Sequence, residues 1–78
     1  MPKERWTPGG LVAPIGADLS KPAWLDAVKR NCLAAGAPVS TAEIEAAMSD
    51  LAVEYGDPAW DWSAAGAAIF ARDALIEG

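Results

Sequence analysis

The chain has 78 residues, of which 53% are apolar and 22% charged, and its formal net charge at pH 7 is −5. This length fits one domain, and the composition excludes an intrinsically disordered chain. Cys32 is the only cysteine, which excludes disulfide stapling, and no apolar run approaches the roughly 20 residues of a membrane span. The N-terminus lacks the apolar stretch of a signal peptide, so we expect a cytoplasmic protein.

Residues 1–19 are predicted to form an irregular N-terminal arm. Five helix-breaking residues that favour turns interrupt it: Pro8, Gly9, Gly10, Pro14 and Gly16. A short extended stretch is allowed at residues 11–13. Trp6, Leu11 and Ile15 are the apolar side chains expected to anchor the arm, either on the helices that follow or on a second chain.

Residues 20–78 are predicted to form a compact three-helix domain, so the expected fold class is all-α. The expected helices span about 20–36, 41–55 and 58–77. Ser20 is a suitable N-cap for the first helix, and Gly36 followed by Pro38 indicates its end. On a helical wheel one side of this helix is apolar, with Trp24, Leu25, Val28, Cys32 and Ala35.

The second helix has the clearest start signal in the chain. Ser40 and Glu43 match the S-x-x-E capping box, in which each side chain satisfies the other residue's free N–H. Gly56 indicates the end of this helix. Between them, apolar residues recur at helical spacing: Ile44, Ala47, Met48, Leu51 and Tyr55.

The third helix is predicted to restart immediately, with Asp57 as N-cap and Pro58 in the first helical position. Its run of small residues, 63–71, allows another helix to pack closely in the core, and a homodimer seam is the alternative. Asp73 lies beside the apolar face, where it needs a cationic partner or an interface edge. The residues expected on that face are Trp62, Ala65, Ile69 and Ile76.

Charge is distributed unevenly along the chain. Residues 1–30 hold five cations and three carboxylates, a net of +2, whereas residues 31–78 hold one cation and eight carboxylates, a net of −7. On the second helix, Glu43, Asp50 and Glu54 fall within about 40° of one another on the helical wheel. No Lys or Arg lies three or four residues away to neutralise them, which is mildly unfavourable for a helix. A binding surface for a cationic partner is one interpretation, and a solvated acidic surface is the other.

Trp60 and Trp62 lie two residues apart, so in a helix their rings would point in different directions. We expect Trp62 inside and Trp60 nearer the surface, where a tryptophan beside carboxylates resembles the anchor of a protein interface. Alternatively, Trp60 folds over the N-terminal arm. The candidate partner-binding residues are Glu43, Asp50, Glu54, Asp57, Trp60 and Asp61.

The sequence offers little for catalysis, so we expect no enzyme, no cofactor and no metal site. There is no histidine to move protons near neutral pH, and Cys32 has no plausible base. The glycines of residues 9–16 do not match a phosphate-binding loop. Asp57 and Asp61 could touch Mg²⁺, but no further ligand completes a site.

Two binding classes are also excluded by residue type. Residues 32–48 have a helix–turn–helix pattern, but Glu43, Glu45 and Asp50 on the second helix would repel DNA phosphates, so we expect no direct nucleic-acid binding. An acyl carrier protein would need an Asp-Ser-Leu attachment motif. The order here is Asp18-Leu19-Ser20, which breaks that motif.

In size, acidity and lack of catalytic residues, the chain resembles the small acidic inhibitor proteins that phages and other mobile elements encode, of the anti-CRISPR type. The resemblance is one of type, without a shared motif. It implies a stoichiometric inhibitor that occupies a Lys/Arg-rich nucleic-acid-binding surface of a host protein complex and blocks DNA. The alternative is a small helical adaptor, subunit or immunity-type protein that assembles through Trp/Ala-rich apolar surfaces.

Overall fold

The computed structural model describes residues 4–12 and 17–77, which form three helices and a two-stranded sheet. The elements in chain order are β1 Arg5–Thr7, β2 Gly10–Val12, α1 Lys21–Ala34, α2 Thr41–Tyr55 and α3 Ala64–Phe70, and α3 continues into a π-helical segment, Ala71–Ile76. The predicted helical character is confirmed. The fold is not purely α-helical, because β1 and β2 pair as an antiparallel hairpin.

The first two helices begin and end close to their predicted positions. Ser20 caps α1, its Oγ accepting from the Ala23 N–H at 3.3 Å. The capping box of α2 is complete: the Glu43 N–H donates to Ser40 Oγ at 3.2 Å, and the Ser40 N–H donates to Glu43 Oε1 at 3.1 Å. Gly56, with φ 71°, ends α2 in the left-handed conformation that glycine adopts without steric cost.

The prediction for the start of the third helix is wrong. Asp57 does not cap a helix but has φ 53°, and α3 begins at Ala64, with Ser63 as its N-cap. The residues before α3 are not helical, and among them Trp60 forms a parallel bridge with Trp6 of β1. The Trp6 N–H donates to the Ala59 carbonyl at 2.8 Å, and the Asp61 N–H donates to the Trp6 carbonyl at 3.1 Å. A non-local backbone pairing therefore outcompetes the local helix-start signal.

The N-terminal arm is more regular than the sequence predicts. Its described part is the β1–β2 hairpin, in which the Thr7 hydroxyl donates to the Gly10 carbonyl at 2.8 Å. Trp6 anchors the hairpin as expected, with its ring 5.1 Å from both Tyr55 and Trp60. Leu11 is 65% exposed and does not anchor the arm, and the predicted anchor Ile15 lies outside the described residues.

The core lies between α1, Ile44 of α2 and the C-terminal helix. Trp24 is at its centre, with ring centroids 5.1 Å from Trp62 and 5.2 Å from Phe70, and its indole N–H donates to the Asp61 carbonyl at 2.9 Å. The buried apolar residues are Trp24, Leu25, Ala27, Val28, Cys32, Ile44, Ala67, Phe70 and Ala71.

The C-terminal helix buries a different face from the predicted one. Gly66, Ala67, Phe70 and Ala71 are buried, whereas Ile69 is half-buried and Ile76 exposed. Ala35, predicted on the apolar side of the first helix, is also exposed because it lies beyond the end of α1.

Candidate functional site

Three predicted site residues form one exposed acidic face on α2: Glu43, Asp50 and Glu54. Along residues 4–12 and 17–77, ion pairs within 4 Å join Arg5 to Asp18, Lys21 to Glu45 and Arg72 to Asp73. None of these pairs includes a residue of the acidic face. The negative charge of the acidic face is therefore not neutralised by an ion pair with any Lys or Arg that the structure describes.

The acidic face is electrostatically unfavourable at the C-terminal end of α2. Helix carbonyls give this end a partial negative charge, which basic residues in the last turn normally offset. The last turn of α2 has no basic residue and instead carries Glu54, with the exposed Asp57 just beyond it. Each misplaced charge costs about 0.3–1 kcal/mol at low ionic strength. Helix stability alone does not explain this arrangement.

Glu43 has a structural role besides its charge. Its carboxylate accepts the Ser40 N–H and so completes the α2 capping box. A glutamine retains this acceptor, whereas a lysine removes it. Charge reversal at Glu43 would therefore disturb the start of the helix, and Glu43→Gln is the appropriate probe of its charge.

Trp60 and Asp61 do not lie on the acidic face. Trp60 is half-buried, with its ring perpendicular to Trp6 and 5.8 Å from Phe70, so it covers the arm, as the alternative prediction has it. Asp61 is only 3% exposed, and its Oδ1 accepts from the Ser63 N–H at 3.0 Å. Asp61 therefore shapes the start of α3 and cannot contribute directly to a surface contact.

A groove of about 290 Å³ lies between α2 and the π-helical segment, beside the acidic face. We call it the C-terminal groove, and its lining residues are Ala47, Asp50, Leu51, Asp73 and Ala74. It combines three apolar side chains with two carboxylates. Asp50 belongs to both the groove and the acidic face, so the two features form one continuous surface.

Asp73 is held in place from two sides. Arg72 donates from Nε to Asp73 Oδ1 at 2.8 Å, and this hydrogen bond lowers the pKa of Asp73 below the ordinary carboxyl value. On the other side the hairpin turn packs against it: a Cβ added to Gly9 would lie 2.7 Å from Asp73 Oδ2. The predicted need of Asp73 for a cationic partner is thus met by its neighbour in sequence.

A second groove, of about 300 Å³, lies between α1 and α2 and differs in charge. Two cations and two carboxylates balance one another there, and Lys21 pairs with Glu45 at 3.5 Å. Its lining residues are Lys21, Pro22, Leu25, Asp26, Lys29, Thr41 and Glu45. Of these two grooves, the C-terminal groove has the excess of negative charge, because two carboxylates line it and Arg72 pairs with one of them.

Other kinds of site would need a set of metal ligands, a membrane-spanning helix or a reactive nucleophile. Among residues 4–12 and 17–77, no group of three or more His, Cys, Asp or Glu side chains is placed to hold a metal ion. None of the described helices is long and apolar enough to cross a membrane. Cys32 is fully buried, and burial raises the pKa of its thiol, which disfavours the nucleophilic thiolate.

Comparison of the chain with protein-family models, with curated proteins and with solved structures found no match. Any functional conclusion therefore depends on the surface itself.

Sequence reasoning identified the three residues of the acidic face through the period of α2, because one helix fixes their relative directions. It did not identify the C-terminal groove, whose second wall comes from Asp73 and Ala74, more than twenty residues further along the chain. The position of Asp73 beside an apolar face was the one local signal of this second wall.

Proposed function

We propose that this protein is a non-enzymatic acidic inhibitor that occupies the Lys/Arg-rich nucleic-acid-binding surface of a host protein complex and blocks DNA binding. The observation that carries the proposal is the acidic face of α2. Its three carboxylates are exposed and have no ion-pair partner within 4 Å in the part of the chain that the structure describes. Their charge is available to a cationic partner.

The geometry of α2 suits an imitation of phosphates along one strand. At 1.5 Å per residue, Glu43 and Glu54 are about 16 Å apart along the helix axis. One DNA strand of that length carries about five phosphates, at 3.4 Å each. Three carboxylates on α2, with Asp57 beyond its end, give a sparser row of the same sign. Such a row attracts a basic channel electrostatically, so association should be fast and sensitive to salt.

The structure gives less support to assembly through Trp/Ala-rich surfaces. All four tryptophans make aromatic contacts within the chain, and Gly66 and Ala67 are buried in the core. The apolar features that suggested an adaptor or a homodimer seam are thus used largely for folding.

The test is affinity capture from a bacterial lysate by the immobilised protein, with a DNA duplex as competitor. We expect a basic partner that is retained at low salt and released both by high salt and by the duplex. A partner that resists salt and DNA would overturn the proposal in favour of the adaptor class. Failure to capture any basic nucleic-acid-binding protein would also count against it.

Two variants with equal net charge separate the acidic face from charge in general. Glu43→Gln, Asp50→Asn and Glu54→Gln together neutralise the acidic face, changing the net charge from −5 to −2. The control makes the same change in charge at exposed acids elsewhere: Glu4→Gln, Asp26→Asn and Glu77→Gln. We expect the first variant to lose the partner and the control to retain it, with both variants folded by circular dichroism. Equal loss in both would contradict a role for this particular face.

A further inference from the structure

The C-terminal groove differs from the rest of the acidic surface because it has an apolar floor. Ala47 and Leu51 of α2 and Ala74 of the π-helical segment supply this floor, and Asp50 and Asp73 supply the charge. We infer that the groove receives one arginine side chain of the basic partner. This inference rests on the proposed function and names the contact that would give it specificity.

The apolar floor matches the stem of an arginine better than it matches a mobile inorganic cation. Long basic side chains lay their methylene groups on apolar surface while their charged ends stay near water or an anion. Here Leu51 and Ala74 provide that surface, and Asp50 lies beside it as a carboxylate. A cation without a stem would leave the floor uncovered.

The two carboxylates offer different acceptors to such a side chain. Asp50 is exposed and has no cation within 4 Å along the described chain. Asp73 is oriented by Arg72, whose Nη2 is 3.4 Å from Asp73 Oδ2, and its side chain remains 20% exposed. Because Arg72 already pairs with Asp73, Asp50 is the open acceptor of the groove. A planar guanidinium can donate to both oxygens of one carboxylate, which a lysine ammonium does less well.

The volume and the charge of the groove are both compatible with one arginine side chain. Its volume of about 290 Å³ is at the lower end of ligand pockets, which span about 300–1,000 Å³, and is sufficient for one side chain. The groove between α1 and α2 has a similar volume but balanced charge, so it offers no comparable attraction to a cation.

The experiment is an NMR titration of the full chain with N-acetyl-arginine amide, followed through the methyl groups of Ala47, Leu51 and Ala74. Two comparison probes separate these features. The citrulline analogue keeps the stem but is neutral, and methylguanidinium keeps the charge but lacks most of the stem. We expect shifts confined to the groove for the arginine probe, and weaker binding of both comparison probes.

Two single variants provide the matched comparison. Asp50→Asn should weaken binding of the arginine probe about twofold to fivefold, the range of an exposed ion pair. Asp26→Asn makes the same substitution at an exposed position of α1, outside the groove. It should leave the affinity unchanged.

Equal weakening in the two variants, or no shift at the groove methyls, would overturn the inference. Concentration-dependent shifts without any probe would overturn it in favour of a second copy of the chain as occupant. These outcomes are distinct from failure of the proposed function, because capture of a basic partner and its release by DNA are measured without the arginine probe.

Discussion

Gly66 is the position where a single methyl group should have the largest effect on folding. It occupies the third position of α3, and its N–H donates to Ser63 Oγ at 3.1 Å. A Cβ built there collides with the Asp61 carbonyl oxygen and lies 2.6 Å from Asp61 Cγ. Ordinary carbon–carbon contacts are about 3.5–4.0 Å, so Gly66→Ala requires backbone displacement of about 1 Å.

Two effects of opposite sign determine how Gly66→Ala changes the free energy of unfolding. Helix propensity favours alanine over glycine by about 1 kcal/mol. Against this, overpacking costs about 1–3 kcal/mol, and displacement of the Asp61 carbonyl weakens its hydrogen bond from Trp24, worth about 1 kcal/mol. Because the collision is with backbone rather than a flexible side chain, we expect an overpacking cost at the upper end of that range. The net destabilisation should then be about 2–3 kcal/mol.

Thermal unfolding followed by tryptophan fluorescence measures this change. For a domain of this size, about 4–8 °C is lost per kcal/mol, so Gly66→Ala should lower Tm by about 8–24 °C. Ala64→Gly, at an exposed position of the same turn, is the control for propensity alone and should cost no more than about 1 kcal/mol. A Gly66→Ala protein as stable as the wild type would refute the packing described for Asp61.

Three further predictions follow from local contacts. Ser40→Ala removes the acceptor of the Glu43 N–H and should lower the free energy of unfolding in urea by about 1 kcal/mol; no change would contradict the capping role. Arg72→Gln should raise the pKa of Asp73 in a carboxyl-carbon NMR titration, since the guanidinium lowers it. A lowered folded-state pKa gives stability that is present above the ordinary carboxyl pKa and lost as pH falls through the folded value, so the variant should lose less stability in acid. Cys32 should react with a thiol reagent only on unfolding, and rapid labelling of the native protein would contradict its burial.

The acidic face was predictable from sequence, whereas the groove beside it was not. Glu43, Asp50 and Glu54 lie on one helix, whose period fixes their relative directions before any tertiary contact forms. The groove needs Asp73 to lie opposite Asp50, which depends on how α2 packs against the π-helical segment. Trp60 and Asp61 were expected near the surface because a helix was predicted there. The segment is not helical, and the buried Asp61 carboxylate accepts from the Ser63 N–H.

The sequence by itself determined α1 and α2, because their caps and stops act within a few residues. Ser20 and Ser40 cap the N-termini of α1 and α2 by accepting nearby backbone N–H groups, and Gly56 ends α2. Tertiary structure decided where α3 begins. Asp57 and Ser63 are both possible N-caps. The helix begins after Ser63 because Trp6 of β1 bonds the Ala59 carbonyl and the Asp61 N–H, which lie between the two. Those bonds join positions more than fifty residues apart, so no local pattern could have indicated them.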